Sequence, residues 1–218
     1  MNLNARRRSG YQAAAIVAAA VLLAGCGSGG GADGMPTARP VGTLKARHVK
    51  AALPDKEALP GWRQIGSRQI DTHGYLCQVV AGDACNDVIA TGTANFTRGA
   101  QRTTKWLRFS FTVYSCRTVS AAQLLYEAMP DYDKRADGAK TPALGDESAA
   151  SSSLLNGEHP VSIYHDKVRI GTTVLWTFAM GTEEAVTSER AELAAKLQVE
   201  RVQQAHLGLK PSAHADVP

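Results

Sequence analysis

The chemistry most sharply specified in this 218-residue chain lies near its start. Leu23-Ala24-Gly25-Cys26 follows a basic stretch, Arg6-Arg7-Arg8, and an unbroken apolar run from Ala13 to Leu23. That layout reads as a bacterial lipobox. Small residues give a signal peptidase room at the cleavage point, and the Cys26 thiol at the new N-terminus then carries a lipid anchor. A run of about 11 apolar residues suits a secretory signal and falls short of the roughly 20 needed to span a bilayer. Residues 1–25 are expected to be a lipoprotein signal peptide, with lipidation at Cys26 and a place on the extracytoplasmic face of the cell membrane. The alternative is an ordinary signal peptide with a chance cysteine.

Export puts the remaining cysteines, Cys77, Cys85 and Cys116, in an oxidising compartment, where one disulfide and one spare thiol is the simplest outcome. Cys77 and Cys85 flank Gly82-Asp83, a loop flexible enough to let their thiols meet. A rival pairing, Cys85 with Cys116, follows if the hairpin described below continues past Val88 and Val113. It requires Asn86 and Asp87, both poor strand formers, to stay in the ladder. Cys77–Cys85 is the preferred pair.

Other chemistry is sparse. There is no Gly-x-Ser-x-Gly elbow, no phosphate-cradling glycine loop and no His-Glu-x-x-His helix. No cofactor is implied. The histidines (His48, His73, His159, His165, His206 and His214) fall at no spacing that makes a metal site. Asp146-Glu147 suggests paired carboxylates, but neighbours on a strand point to opposite faces. Asp146 is expected to order a turn through backbone N–H groups. Trp106, Arg108, Tyr114 and Ile89 fall on the non-core side of a predicted hairpin and form a candidate contact surface. The simpler reading is that the N-terminal helix or a loop covers them. Trp62 and Trp176 are expected in the core.

The charge adds one exclusion. The formal net charge is +4, and removal of residues 1–25 takes away Arg6, Arg7 and Arg8 with no acid. A near-neutral mature chain lacks the clustered basic face that nucleic acid requires, so no nucleic-acid partner is expected.

These residues need elements to hold them. The Gly-rich segment 26–42 reads as a flexible tether with a reach of roughly 20–25 Å. Residues 43–210 suffice for one compact domain, and 211–218 reads as a disordered tail. Thr43–Leu53 suggests a short helix with Leu44, Val49, Ala52 and Leu53 apolar, and Trp62–Ile70 a strand. Leu107, Phe109, Phe111 and Val113 alternate with Arg108, Ser110 and Thr112, and Val88, Ala90, Ala94 and Phe96 with Ile89, Thr91, Thr93 and Asn95, the period of half-buried strands. A four-residue turn at Gly99-Ala100-Gln101-Arg102 sets Val88 opposite Val113, Ala90 opposite Phe111 and Ala94 opposite Leu107. Ser120–Met129 reads as an amphipathic helix with a Ser120/Gln123 capping box. Ser148–Leu155 suggests a strand, and Asn156-Gly157 a two-residue hairpin turn. Val161–His165 and Val168–Ala179 flank a turn at Asp166-Lys167, which turns Val168, Ile170, Val174, Trp176 and Phe178 to the core and leaves Gly171 inside a strand. A helix from Glu183 to Leu207, capped by Thr182, closes the domain. The fold class is α+β: a mainly antiparallel sheet built from hairpins and covered by two or three helices.

Leu59-Pro60-Gly61-Trp62, Leu144-Gly145-Asp146-Glu147-Ser148 and Val168-Arg169-Ile170-Gly171 resemble secreted actinobacterial lipoproteins. More distantly, they are similar to the extracellular sensor domains of some actinobacterial serine/threonine kinases. The likeness spans roughly Leu53 to Gly208 and implies an α+β domain with a ligand cleft between sheet and helices. Those sensor domains are often held by two disulfides, whereas three cysteines stand here beyond Cys26. The resemblance therefore carries no functional residue across.

The expected function is a membrane-anchored, non-catalytic ligand-binding or sensor-like domain. The alternative is an envelope module that docks on another protein. A cell-wall hydrolase has the least support, because no nucleophile and base are paired.

Overall fold

The computed structural model describes residues 42–100, 105–130, 143–157 and 160–218. Cys26, the signal peptide, the tether up to residue 41, Gln101-Arg102 of the expected turn, and His159 lie outside the described residues.

In chain order the elements are α1 (Ala46–Ala52), β1 (Arg63–Asp71), α2 (Tyr75–Ala81) with a 3-10 turn over Gly82–Cys85, and β2 (Val88–Arg98). There follow β3 (Leu107–Cys116), α3 (Val119–Ala128), β4 (Glu147–Leu155), β5 (Val161–Ile170), β6 (Thr173–Gly181) and α4 (Ser188–His206). The six strands form one antiparallel sheet in the order β1-β2-β3-β6-β5-β4, which confirms the α+β class. Two three-stranded meanders, each local in sequence, are joined along a β3–β6 seam.

One face of the sheet carries the main core. Ala94, Phe96, Leu107, Phe109, Phe111 and Val113 are buried beneath α1 and α4, with the Trp62 ring tilted by 33° against Phe109, centroids 4.6 Å apart. Gly92 lets α1 approach closely, since a Cβ there would meet Val49 at 2.6 Å and Leu53 at 3.0 Å. Helix α4 lies on the sheet through small residues, Ala191, Ala194 and Ala205, together with Leu197 and Val202. Buried Arg201 on α4 donates to the carbonyls of Ala51, Ala52, Leu53 and Ala213 and to the Asp55 carboxylate. It thereby satisfies orphan acceptors at the end of α1.

The opposite, outer face carries a smaller cluster at one end. There α3 and the 3-10 turn cover Val88, Tyr114, Cys116 and Val174. Thr118 caps α3, its side chain accepting from the Ala121 N–H at 3.1 Å. Lys167, reaching up from β5, donates to the carbonyls of Tyr126 (3.1 Å) and Met129 (3.4 Å) where α3 ends.

Several expectations are corrected. Ala94 lies opposite Phe111 and Arg98 opposite Leu107, a register four residues away from the expected one. The connection from Gly99 to Trp106 is eight residues long, not four. An even shift preserves the faces, so the apolar rows still coincide. A bulge between Val88 and Ala90 turns Val88 to the outer face opposite Cys116, which removes the Cys85–Cys116 ladder position.

In the second meander the turn is at Gly171-Thr172, where Gly171 takes a positive φ of 54°, and Asp166-Lys167 is buried in the middle of β5. Moving this turn places Leu175, Thr177 and Ala179 on the core face with Val168. Val174, Trp176 and Phe178 face outward. Asn156-Gly157 opens a five-residue connection rather than a two-residue turn. Helix α4 starts at Ser188 with Thr187 as its cap, while the Thr182 carbonyl closes the preceding turn. The expected disordered tail is packed: Val217 is buried, and its carbonyl accepts from Trp62 and Arg98.

Candidate functional site

Alternation along a strand fixes what the outer face presents, because residues i and i+2 share a side. From β3 come Arg108, Ser110 and Thr112; from β6 come Met180, Phe178 and Trp176. The pairs Arg108–Met180, Ser110–Phe178 and Thr112–Trp176 lie directly across the seam. These six half-buried side chains line a groove of about 290 Å³. A second hollow of about 340 Å³ adjoins it, sharing Arg108 and Met180 and adding Arg63, Ile65, Thr97, Trp106 and the Gly99-Ala100 backbone. Helix α3 covers the Tyr114 end of this face, no described element covers the Arg108 end, and α1 lies on the other side of the sheet.

The sequence-predicted contact residues therefore separate. Trp106 and Arg108 meet at the adjoining hollow. Tyr114 is buried beneath the α3 cluster, its hydroxyl pKa raised by burial, and it offers no contact surface. Ile89 sits half-buried beside the bulge. Trp176, expected in the core, instead lines the groove together with Phe178 and Met180. The sequence carried a signal for this: Trp176, Phe178 and Met180 alternate with Leu175, Thr177 and Ala179. It pointed the wrong way because the turn was misplaced.

Electrostatically the groove is one-signed. Arg108 donates to the Asn95 side-chain oxygen at 3.1 Å. Neither Arg108 nor Arg63 has a carboxylate partner among the described residues. Among the described residues no carboxylate lines either hollow. Behind Phe178 and Trp176 lies His165, stacked on Trp176 and edge-on to Phe178 at 4.8 Å. Burial pushes its imidazole pKa down to about 4, so it is neutral at physiological pH.

Other candidate chemistry is engaged structurally. Cys77 and Cys85 form the disulfide, and Cys116 is a buried free thiol. Burial, reinforced by the Asp87 charge, pushes the Cys116 thiol up to about 12, which leaves no thiolate near neutrality. Asp146 and Glu147 do converge, contrary to the opposite-face expectation, but on Arg169 at 3.0 and 2.9 Å. Convergence is possible because Asp146 precedes the strand, following Gly145 at φ +64°. Asp146 also accepts from the Gly171 N–H at 2.7 Å, tying the β5–β6 turn. Among the described residues no group of three His, Cys, Asp or Glu is placed to hold a metal ion. Likewise, no described helix is long and apolar enough to cross a membrane.

No family model and no curated protein matches the chain. Among solved structures it is similar to the extracellular domain of PknH from Mycobacterium tuberculosis, with a TM-score of 0.47 and 10% identity over 77% of this chain and 99% of that one. No residue role, ligand or activity is carried across at that level of similarity.

Proposed function

We propose that the chain is a lipid-anchored, non-catalytic binding module on the extracytoplasmic face of the cell membrane, with its ligand seated in the outer-face groove. One observation carries the seat. Large aromatic and thioether side chains stand half-buried around a groove beside hydroxyl and guanidinium groups, with no nucleophile and base paired among them. That mixture of apolar walls and a few polar anchors is typical of small-molecule sites. The lipobox ending at Cys26 and the Cys77–Cys85 disulfide support an exported, anchored address.

Two measurements test the two halves of this reading. A native mass spectrum of the purified chain is expected to show a retained small molecule that is lost in the Trp176→Ala/Phe178→Ala double variant; the same retained mass in both proteins places the ligand elsewhere. Replacing Cys26 with serine is expected to release the protein from the membrane fraction. Unchanged fractionation, with no lipid mass on the wild-type N-terminus, overturns the anchor.

A second reading, an envelope protein-interaction module, is supported by α2. Its Tyr75 and Val79, one turn apart, are 70% and 88% exposed on a helix stapled by the disulfide. Crosslinking from position 79 to a single envelope protein would favour it.

A further inference from the structure

We infer that the groove takes a small organic anion with an apolar body, its acidic group held by Arg108 and Arg63. This deepens the ligand-seat reading above and rests on it.

The argument begins with the register. Arg63, Thr97, Arg108 and Met180 form one cross-strand row on the outer face. Strands about 4.8 Å apart put the Arg63 and Arg108 backbones roughly 10 Å from each other. Their long side chains border the same hollow. Like charges brought together without an acid between them raise the local potential and select a negative partner. Among the strand residues of this face the carboxylates are Asp71 and Glu147, three rows away on the Tyr114 row and roughly 20 Å along the strands, while Glu184, just past the end of β6, borders a separate hollow that shares Gly99 with this one. Both are already occupied. Asp71 accepts from the His73 and Leu76 amides, and Glu147 pairs with Arg169. Among the described residues, therefore, no carboxylate lines the hollow that holds the two guanidinium groups. A planar guanidinium is also suited to grip a carboxylate or sulfonate through two parallel hydrogen bonds.

The apolar requirement comes from β6. Met180, Phe178 and Trp176 are successive outward residues, so they floor a strip roughly 13 Å long leading away from Arg108. The Ser110 and Thr112 hydroxyls run beside it from β3. A wholly polar anion such as inorganic phosphate would leave this strip unused, and a neutral apolar ligand would leave both guanidinium groups unanswered. An amphipathic anion satisfies both.

A matched set of probes tests the class on the purified full chain by isothermal titration: 2-naphthoate, 2-naphthylmethanol and 2-naphthylmethylammonium. The acid is expected to bind at least tenfold more tightly than the alcohol, and the amine most weakly. Arg108→Met should cost the acid at least tenfold while leaving the alcohol within twofold, and Arg63→Met should cost the acid less. Arg108→Lys, which keeps the charge, serves if the methionine variant does not fold, with partial retention of the acid expected. Equal affinity for acid and alcohol, or an acid affinity unmoved by Arg108→Met, overturns the anion and leaves the groove standing. Failure of all three probes, with no small molecule retained in the native mass spectrum, overturns the groove itself. Displacement of naphthoate by phosphatidylglycerol vesicles would move the anion to a lipid surface and overturn a diffusible ligand.

Discussion

The two faces of the sheet share every strand and differ in what covers them. On β3 the core face carries Leu107, Phe109, Phe111 and Val113, all buried, and the outer face carries Arg108, Ser110 and Thr112. On β6 the relation inverts. Its core face has the smaller Leu175, Thr177 and Ala179, against which the alanine-rich side of α4 lies closely, and its outer face has Trp176, Phe178 and Met180. Bulk on the covered side of β3 is what a core demands. On the outer side of β6 no described helix packs over Phe178 and Met180, and this asymmetry marks the groove.

The comparison breaks most visibly at Arg201. Methionine there leaves the end of α1 with several buried carbonyls unmet, and a loss of about 3–5 kcal/mol is expected in urea unfolding. A loss under about 1 kcal/mol would mean that the core face does not depend on this staple. Phenylalanine truncation compares the faces directly. Phe111→Ala should cost about 3–5 kcal/mol, while Phe178→Ala should cost about 1 kcal/mol and principally weaken ligand binding. Equal stability losses at the two positions would show the outer face to be core. Reducing or deleting Cys77–Cys85 should cost roughly 2–3 kcal/mol, since the loop closed is short. Peptide mapping checks the pair.

Titration sharpens the contrast further. The folded pKa of His165, about 4, lies below its ordinary 6.5. Between those values the unfolded chain takes up a proton that the folded chain does not. Stability is therefore expected to fall as pH drops from about 6.5 to about 4, by on the order of 2–3 kcal/mol, and His165→Phe should flatten that slope in urea midpoints. The cross-strand neighbours of His165 on its face, Phe178 and Ser151, carry no charge; Lys167 stands two positions along. The smallest effect has the opposite sign. Gln198 on α4 is fully buried, with neither side-chain amide atom hydrogen-bonded among the described residues. Gln198→Met should stabilise by about 1 kcal/mol in thermal unfolding, and destabilisation would point to a polar partner at that position.

Periodicity made the first meander legible because period-two alternation survives any even slip. The Ala94–Leu107 pairing was off by four residues, yet the side chains from Ala90 to Phe96 and from Leu107 to Val113 were assigned to their proper faces; only Val88, beyond the bulge, was not. The second meander was less forgiving. Asp166-Lys167 has the composition of a turn, but tertiary contacts bury it, with Lys167 drawn beneath the end of α3. Charged residues in mid-strand carry no local signal of such a partner. Reading 168–179 as one continuous strand carried its even-numbered face through the real turn at Gly171-Thr172, after which the core row is odd-numbered, and sent Trp176 and Phe178 to the wrong side. The site was legible only in half: Arg108 and Trp106 were found on β3, and their partners across the seam were assigned to the core. Helix α4 misled in another way. It buries Ala191, Ala194, Ala195 and Ala205 beside Leu197, Val199 and Val202, and alanine, common on both faces of helices, marks a buried stripe only weakly.

The β3–β6 seam also has a consequence in time. Each meander pairs neighbours in sequence, whereas Leu107 meets Gly181 and Ser115 meets Thr173 with most of a meander between them. Non-local closure of this kind is the slow event in sheet assembly. Half of the groove residues come from each side of that joint. A chain whose two halves have formed but not docked therefore offers nothing for a ligand to hold, so occupancy of the groove reports the final zippering step. Ligand present during refolding would leave early rates unchanged and slow only the reopening of the finished sheet.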